Sequence, residues 1–201
     1  MSLPALINST DFESHPLFLV ESEYNEKIDD LILEWQDEYI KKILGERLFI
    51  DYVNDYDLVT EDWLTQKWKD FNDGYNYTVN GYNVTWSGLR NLLKYLLFFE
   101  YRKYNRAQHS ALGKTNPNMQ NAEHSEDFTS VIQIYNKGVY LHGFDYECKF
   151  IEYNKNIMTY KKVFDKDIEK FKPTAYNFLL NRESEFDNWI FTNIFEINSF
   201  M

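Results

Sequence analysis

The stretch Tyr75-Asn76-Tyr77-Thr78-Val79-Asn80-Gly81-Tyr82-Asn83-Val84-Thr85-Trp86, continuing through Ser87 and Gly88 into Leu89, decides how this chain folds. Asn80-Gly81 sits between two arms rich in Tyr, Val and Thr. Both residues tolerate positive φ, which a two-residue primed turn requires, so the segment reads as a β-hairpin at about 75–86. Ser87 is placed to cap a helix that follows at once. Its first turns carry Leu89, Leu92 and Leu93, then Tyr95, Leu96, Leu97, Phe98 and Phe99, with Lys94 and Glu100 as the few polar breaks. A helix apolar nearly all round has no face suited to water, so it is predicted to be a central buried helix. The expected fold is mainly α: a small helical bundle around that helix, with one β-hairpin and a C-terminal extension.

Outward on the N-terminal side, residues 8–15 read as a short helix, with Thr10 and Glu13 at capping-box spacing and Pro16 ending the turn. Leu17 to Val20 reads as extended. A long helix is predicted from about Glu23 to Leu44, with Tyr24, Ile28, Leu31, Ile32, Trp35, Tyr39 and Ile43 at helical spacing. Its outer face carries Glu23, Glu26, Asp30, Asp37 and Glu38. Gly45 stops it, and a second helix spans Glu46 to Asn54. Residues 54–57 form a turn cluster, and Thr60 with Glu61 and Asp62 is predicted to cap a third helix carrying Trp63, Leu64, Trp68 and Phe71.

On the C-terminal side, residues 109–124 read as a polar surface loop. A helix opened by Ser125-Glu126-Asp127 is predicted to run towards Met158, with Gly138 and Gly143 marking a kink or a close helix contact. The character changes at Thr159. Residues 1–158 therefore read as a helical domain, and 159–201 as an extension ending in the aromatic, β-prone run Trp189 to Ile197. Either that tail is an arm that packs on a neighbouring subunit by adding a strand, or it folds back on its own core.

Composition narrows the function. The chain has 201 residues and 44% hydrophobic residues, enough for a globular core. The net charge of −11 argues against a free-standing nucleic-acid binder or an anionic-membrane binder, both of which need basic surface. A single cysteine, Cys148, rules out an internal disulfide and fits a reducing cytoplasm. The first residues lack the pattern of a signal peptide, and no apolar run is long enough to span a bilayer. With sixteen Tyr and sixteen Phe, aromatics exceed what one small core easily buries. Either interfaces use the excess or an AT-rich genome supplied it.

No catalytic, metal or cofactor residue emerges. Gly113-Lys114-Thr115 lacks the second glycine of a phosphate loop, since Gln108 stands there, and no strand precedes it. His15, His109, His124 and His142 show no zinc-helix spacing. Cys148 lies among aromatics, as a small buried hydrophobe would. Tyr75, Tyr77, Tyr82 and Trp86 of the hairpin, with Trp189, Phe191 and Phe195 of the tail, are the candidate protein-interface residues. The alternative for the hairpin is that one aromatic face packs on the core.

The order of parts carries a resemblance. Asn8-Ser9-Thr10-Asp11-Phe12, the long helix ending Ile40-Lys41-Lys42-Ile43-Leu44-Gly45-Glu46-Arg47-Leu48, and Tyr77-Thr78-Val79-Asn80-Gly81-Tyr82 running into Gly88-Leu89-Arg90 and an aromatic helix resemble the head–tail connector proteins of tailed bacteriophages. These are the adaptor or head-completion family, and the likeness is to versions from phages and prophages of gut Bacteroidetes. It covers roughly residues 5–158. It implies a non-catalytic structural subunit of the virion, assembled in the host bacterial cytoplasm as a homo-oligomeric ring. The ring would join the portal protein to tail or second connector proteins, with DNA passing through but not specifically bound and no membrane involved. The acidic face of the 23–44 helix or the 109–124 loop would line the channel. The alternatives are another virion part, tail-completion or capsid-associated; a small helical enzyme; and a host regulatory or immunity-type module whose acidic surface binds a basic partner.

Overall fold

The computed structural model describes Leu3, residues 5–12, 26–109, 128–143, 172–187 and Trp189. Among these the chain is mostly helical, with two small antiparallel hairpins. The helices are α1 (Glu26–Asn54), α2 (Gln66–Asp73), α3 (Leu89–His109), α4 (Phe128–His142) and α5 (Ala175–Asn181). The hairpins are β1 (Tyr56–Asp57) with β2 (Asp62–Trp63), and β3 (Tyr75–Val79) with β4 (Tyr82–Trp86).

The β3–β4 hairpin forms as its sequence predicts. Asn80 and Gly81 take φ of 48° and 83°, the two positive values of a type I′ turn, and Val79 pairs with Tyr82 directly across it. Alternation then sends Val79, Val84 and Trp86 inward. Asn76, Thr78, Asn83 and Thr85 face outward and bond across the strands, Thr85 to Asn76 and Thr78 to Asn83. Helix α3 begins at Leu89, so Ser87 lies outside it. The carbonyl of Gly88 accepts from Leu92 N–H, and the Ser87 hydroxyl accepts instead from the Asn91 side chain. Leu89, Leu92, Leu93, Tyr95 to Phe99 and Tyr101 are all buried.

Two backbones meet where the hairpin joins its helices. Gly74 (φ +103°) and Gly88 (φ +92°) face one another so closely that a Cβ on Gly88 would stand 2.5 Å from the Asn72 carbonyl oxygen. Only glycine satisfies both the dihedral and the space. A second close approach joins α3 to α4. A Cβ on Gly138 would fall 2.8 Å from Leu96 Cδ2 and 3.1 Å from Tyr95 Cβ, so the close helix contact expected of this glycine is present. Helix α4 ends at His142, with Gly143 at φ +99°; the predicted continuation towards Met158 lies outside the described residues, as do Leu17 to Val20 and the 110–124 part of the polar loop.

Helix α1 unites the two helices predicted on either side of Gly45. The break between them is at that glycine, whose φ 76° and ψ 162° leave the helical region. Ile32, Gln36, Tyr39, Ile40, Ile43, Leu44, Leu48 and Tyr52 form its buried stripe. The N-terminal segment joins the same core through Leu3, Leu6, Ile7 and Phe12, the last beside Phe98 of α3. Leu6 N–H donates to the buried Gln36 Oε1 at 2.7 Å, so the core polar group is satisfied by the segment it anchors. The short N-terminal helix is a 3-10 turn, Ser9–Phe12. Its cap is Asn8, not Thr10: Asn8 Oδ1 accepts from Thr10 N–H, and Asp11 Oδ2 accepts from Asn8 N–H. Glu13 and Pro16 lie outside the described residues.

The predicted third helix starts later than its sequence suggested. Asp57 accepts from Val59 N–H and from the Thr60 hydroxyl, which turns the chain back as β2. Thr60 therefore belongs to a hairpin loop rather than a helix cap. The Asp55 carboxylate holds Thr65 N–H and hydroxyl at the position before Gln66, where α2 begins. Trp63 sits in β2, stacked on Tyr52 and donating its indole N–H to the Tyr52 carbonyl.

Candidate interaction surfaces

Helix α5 lies against the β3–β4 hairpin. Pro173 precedes it, and Thr174 caps it by accepting from Asn177 N–H. Phe178 is fully buried within 6.4 Å of five rings: Phe71, Tyr75, Tyr77, Trp86 and Phe186. The described part of the extension thus contributes Ala175, Phe178, Leu179 and Phe186 to the main core.

This packing sorts the candidate interface residues. Trp86 is wholly buried and its indole N–H donates to the Phe71 carbonyl, so it is a core residue of this chain. Tyr77 is half-buried against Phe178, and burial pushes its hydroxyl up to about 12. Tyr75 is 42% exposed but carries Phe178 at one edge and the Arg182 guanidinium over its face. Tyr82, at the hairpin tip, is 67% exposed. Trp189 is half-buried, pairs with the Tyr176 ring, and donates its indole N–H to the Ile43 carbonyl just before the α1 break. Phe191 and Phe195 lie outside the described residues. The hairpin's aromatic face is therefore largely occupied by the chain's own α5.

Arg182, which no sequence pattern singled out, locks this arrangement. It reaches Asp70 Oδ2 at 2.7 Å and the Glu185 carboxylate through two further nitrogens. Gln66 Nε2 completes Asp70 by donating to its other oxygen. Glu185, opposed by partial burial and joined by Asp70, holds the Arg182 pKa above its ordinary value, and Arg182 in turn lowers that of Glu185. The Pro-Thr-x-x-Asn start of α5 was the available signal for this helix; nothing local announces that an arginine after its end will find an aspartate on α2.

Elsewhere, Asp29, Asp30, Glu34 and Glu38 keep an acidic outer face on α1. Asp37 is half-buried, and burial raises its pKa. Tyr39 donates to Glu100 across the α1–α3 contact. Of the histidines, His142 is buried and burial depresses its pKa to about 4. His15, His124, Cys148 and Gly113-Lys114-Thr115 lie outside the described residues. Among the described residues no group of three His, Cys, Asp or Glu is placed to hold a metal ion, and no helix is long and apolar enough to cross a membrane. The described geometry thus offers packing faces, with Leu58, Val59, Leu64 and Tyr82 the most exposed large apolar side chains.

Comparison of the chain with protein-family models, with curated proteins and with solved structures found no match.

Proposed function

We propose that the chain is a non-catalytic structural subunit of a tailed-phage head–tail connector, forming a homo-oligomeric ring that joins portal to tail components around the DNA channel. The observation that carries the reading is the order of elements: an anchored N-terminal turn, a long acidic helix broken at Gly45, and an Asn-Gly hairpin delivered directly into an apolar helix. In this reading α3 is the centre of a small bundle formed by residues 1–158, and the 159–201 extension adds α5 and Phe186 to its core. The exposed carboxylates of α1 support a channel-facing role, because like charge repels phosphate and lets DNA slide. A closed ring needs two different patches that fit each other on neighbouring copies. Tyr82 at the β3–β4 tip and Ile50 on α1 are exposed apolar side chains that such patches can use.

The test is to purify particles from the phage or prophage that encodes the chain and image them. The reading requires the chain as a ring between portal and tail. A location on the tail tube or capsid surface would shift it to another virion role, and absence from particles would overturn it.

A further inference from the structure

The β1–β2 hairpin is too small to bury anything at its tip. Its loop, Leu58 to Glu61, holds out Leu58 at 61% and Val59 at 90% exposure, and Leu64 follows β2 at 68%. Scattered surface hydrophobes are ordinary, but here two adjacent large ones occupy one short loop and a third directly follows its second strand. The loop is also fixed in shape. Asp57 ties down Val59 and Thr60, Leu64 N–H donates to the Asp55 carbonyl, and Glu61 is held at φ 53°, a left-handed conformation unfavourable for a side-chain-bearing residue. Trp63, packed on Tyr52 and Tyr56, anchors the base. A rigid projection loses little conformational entropy when it docks.

The rim gives the partner's charge. Asp57 and Asp62 are register partners, facing each other across the last rung, and Glu61 lies between them in the loop. Like charges directly opposite weaken a hairpin. Lys69 reaches Asp62, but no ion pair to Asp57 or Glu61 occurs among the described residues. A second copy is a poor occupant: the chain has 32 acidic against 21 basic residues, and the exposed Lys41 and Lys42 of α1 are already paired with Glu46 and Glu38. We infer that the Asp57–Asp62 hairpin tip is a docking knob whose Leu58 and Val59 enter an apolar, basic-rimmed pocket on a different protein. This rests on the hairpin alone and holds whatever assembly the chain joins.

The test places a photo-crosslinking phenylalanine analogue at Val59 of the full chain in its native host and maps the crosslinked peptides by mass spectrometry. The expected product joins Val59 to a different protein at an apolar segment flanked by Lys or Arg. Against that purified protein, Leu58→Ser with Val59→Ser, and separately Glu61→Lys, should each weaken binding at least tenfold. The melting temperature of the chain should not fall, because these side chains are exposed and make no hydrogen bond or ion pair among the described residues. Crosslinks only to the chain itself or its copies, an acidic target segment, no crosslink above background, unchanged affinity of the variants, or a marked loss of thermal stability would each overturn the assignment.

Discussion

Arg182 Nη1 lies 2.7 Å from Asp70 Oδ2 and joins the end of α5 to α2 across 112 positions of sequence. Both side chains are mostly buried, at 15% and 10% exposure, so the pair is only partly screened. Removing one partner leaves the other charge enclosed, the costly direction for such a pair. Arg182→Ala is expected to destabilise the chain by about 2 kcal/mol, discounted from a fully buried pair because Gln66 still serves Asp70. A double-mutant cycle with Asp70→Asn in urea unfolding should give a coupling of about 1 kcal/mol or more. Additive single effects would show that the contact is incidental.

Phe178 is the ring on which the β3–β4 hairpin, Phe71 of α2 and Phe186 converge. Phe178→Ala is expected to cost about 3–5 kcal/mol, the range for emptying a buried aromatic site. Limited proteolysis checks where the loss falls. Cleavage near residues 172–187 should appear well before cleavage in α3, because α5 loses its main anchor while α3 keeps its contacts with α1 and α4. Simultaneous digestion of both would show instead that the core unfolds as one unit.

Gly88→Ala should be among the most damaging small substitutions in the chain. The new Cβ meets the Asn72 carbonyl at 2.5 Å and the residue sits at positive φ, so neither rotation nor a flexible neighbour relieves it. A loss of about 3 kcal/mol is expected. The control is Gly81→Ala at the hairpin tip, where nothing lies within 4 Å and only the dihedral is unfavourable. It should cost about 1 kcal/mol. Circular dichroism melts of the two variants measure the difference.

Burial of His142 predicts an acid-sensitive fold. Its folded-state pKa of about 4 lies below the ordinary value of 6.5, so the unfolded chain binds the proton first. Its contribution is fully present above pH 6.5 and is lost as pH falls from there to about 4. The loss amounts to about 3 kcal/mol over that window. Chemical denaturation at pH 7 and pH 5 should show the fall, and His142→Gln should flatten it. An equal slope in the variant would assign the acid sensitivity to carboxylates.

Local chemistry was legible in advance. The Asn80-Gly81 turn, the apolar run of α3, the break at Gly45 and the close packing at Gly138 each follow from a residue's own dihedral freedom or from the periodicity of its neighbours. Where two local signals compete, the reading failed. Thr60-Glu61-Asp62 has the composition of a helix cap, but Asp57 captures Val59 and Thr60 first, so a hairpin forms and α2 waits until Gln66. Thr10 likewise yields its capping role to Asn8, two residues upstream.

Sequence by itself determined that this chain is mainly helical and acidic and that an Asn-Gly hairpin leads into an apolar helix, because turn dihedrals and hydrophobic period act over a few residues. Only the tertiary structure decided that the hairpin's aromatic face is covered by α5, that Trp86 is core, that Arg182 finds Asp70, and that Leu58 and Val59 stand out from the body. Those outcomes depend on which distant surfaces meet. Burial is a property of the pair of surfaces brought together, and no single segment encodes its partner.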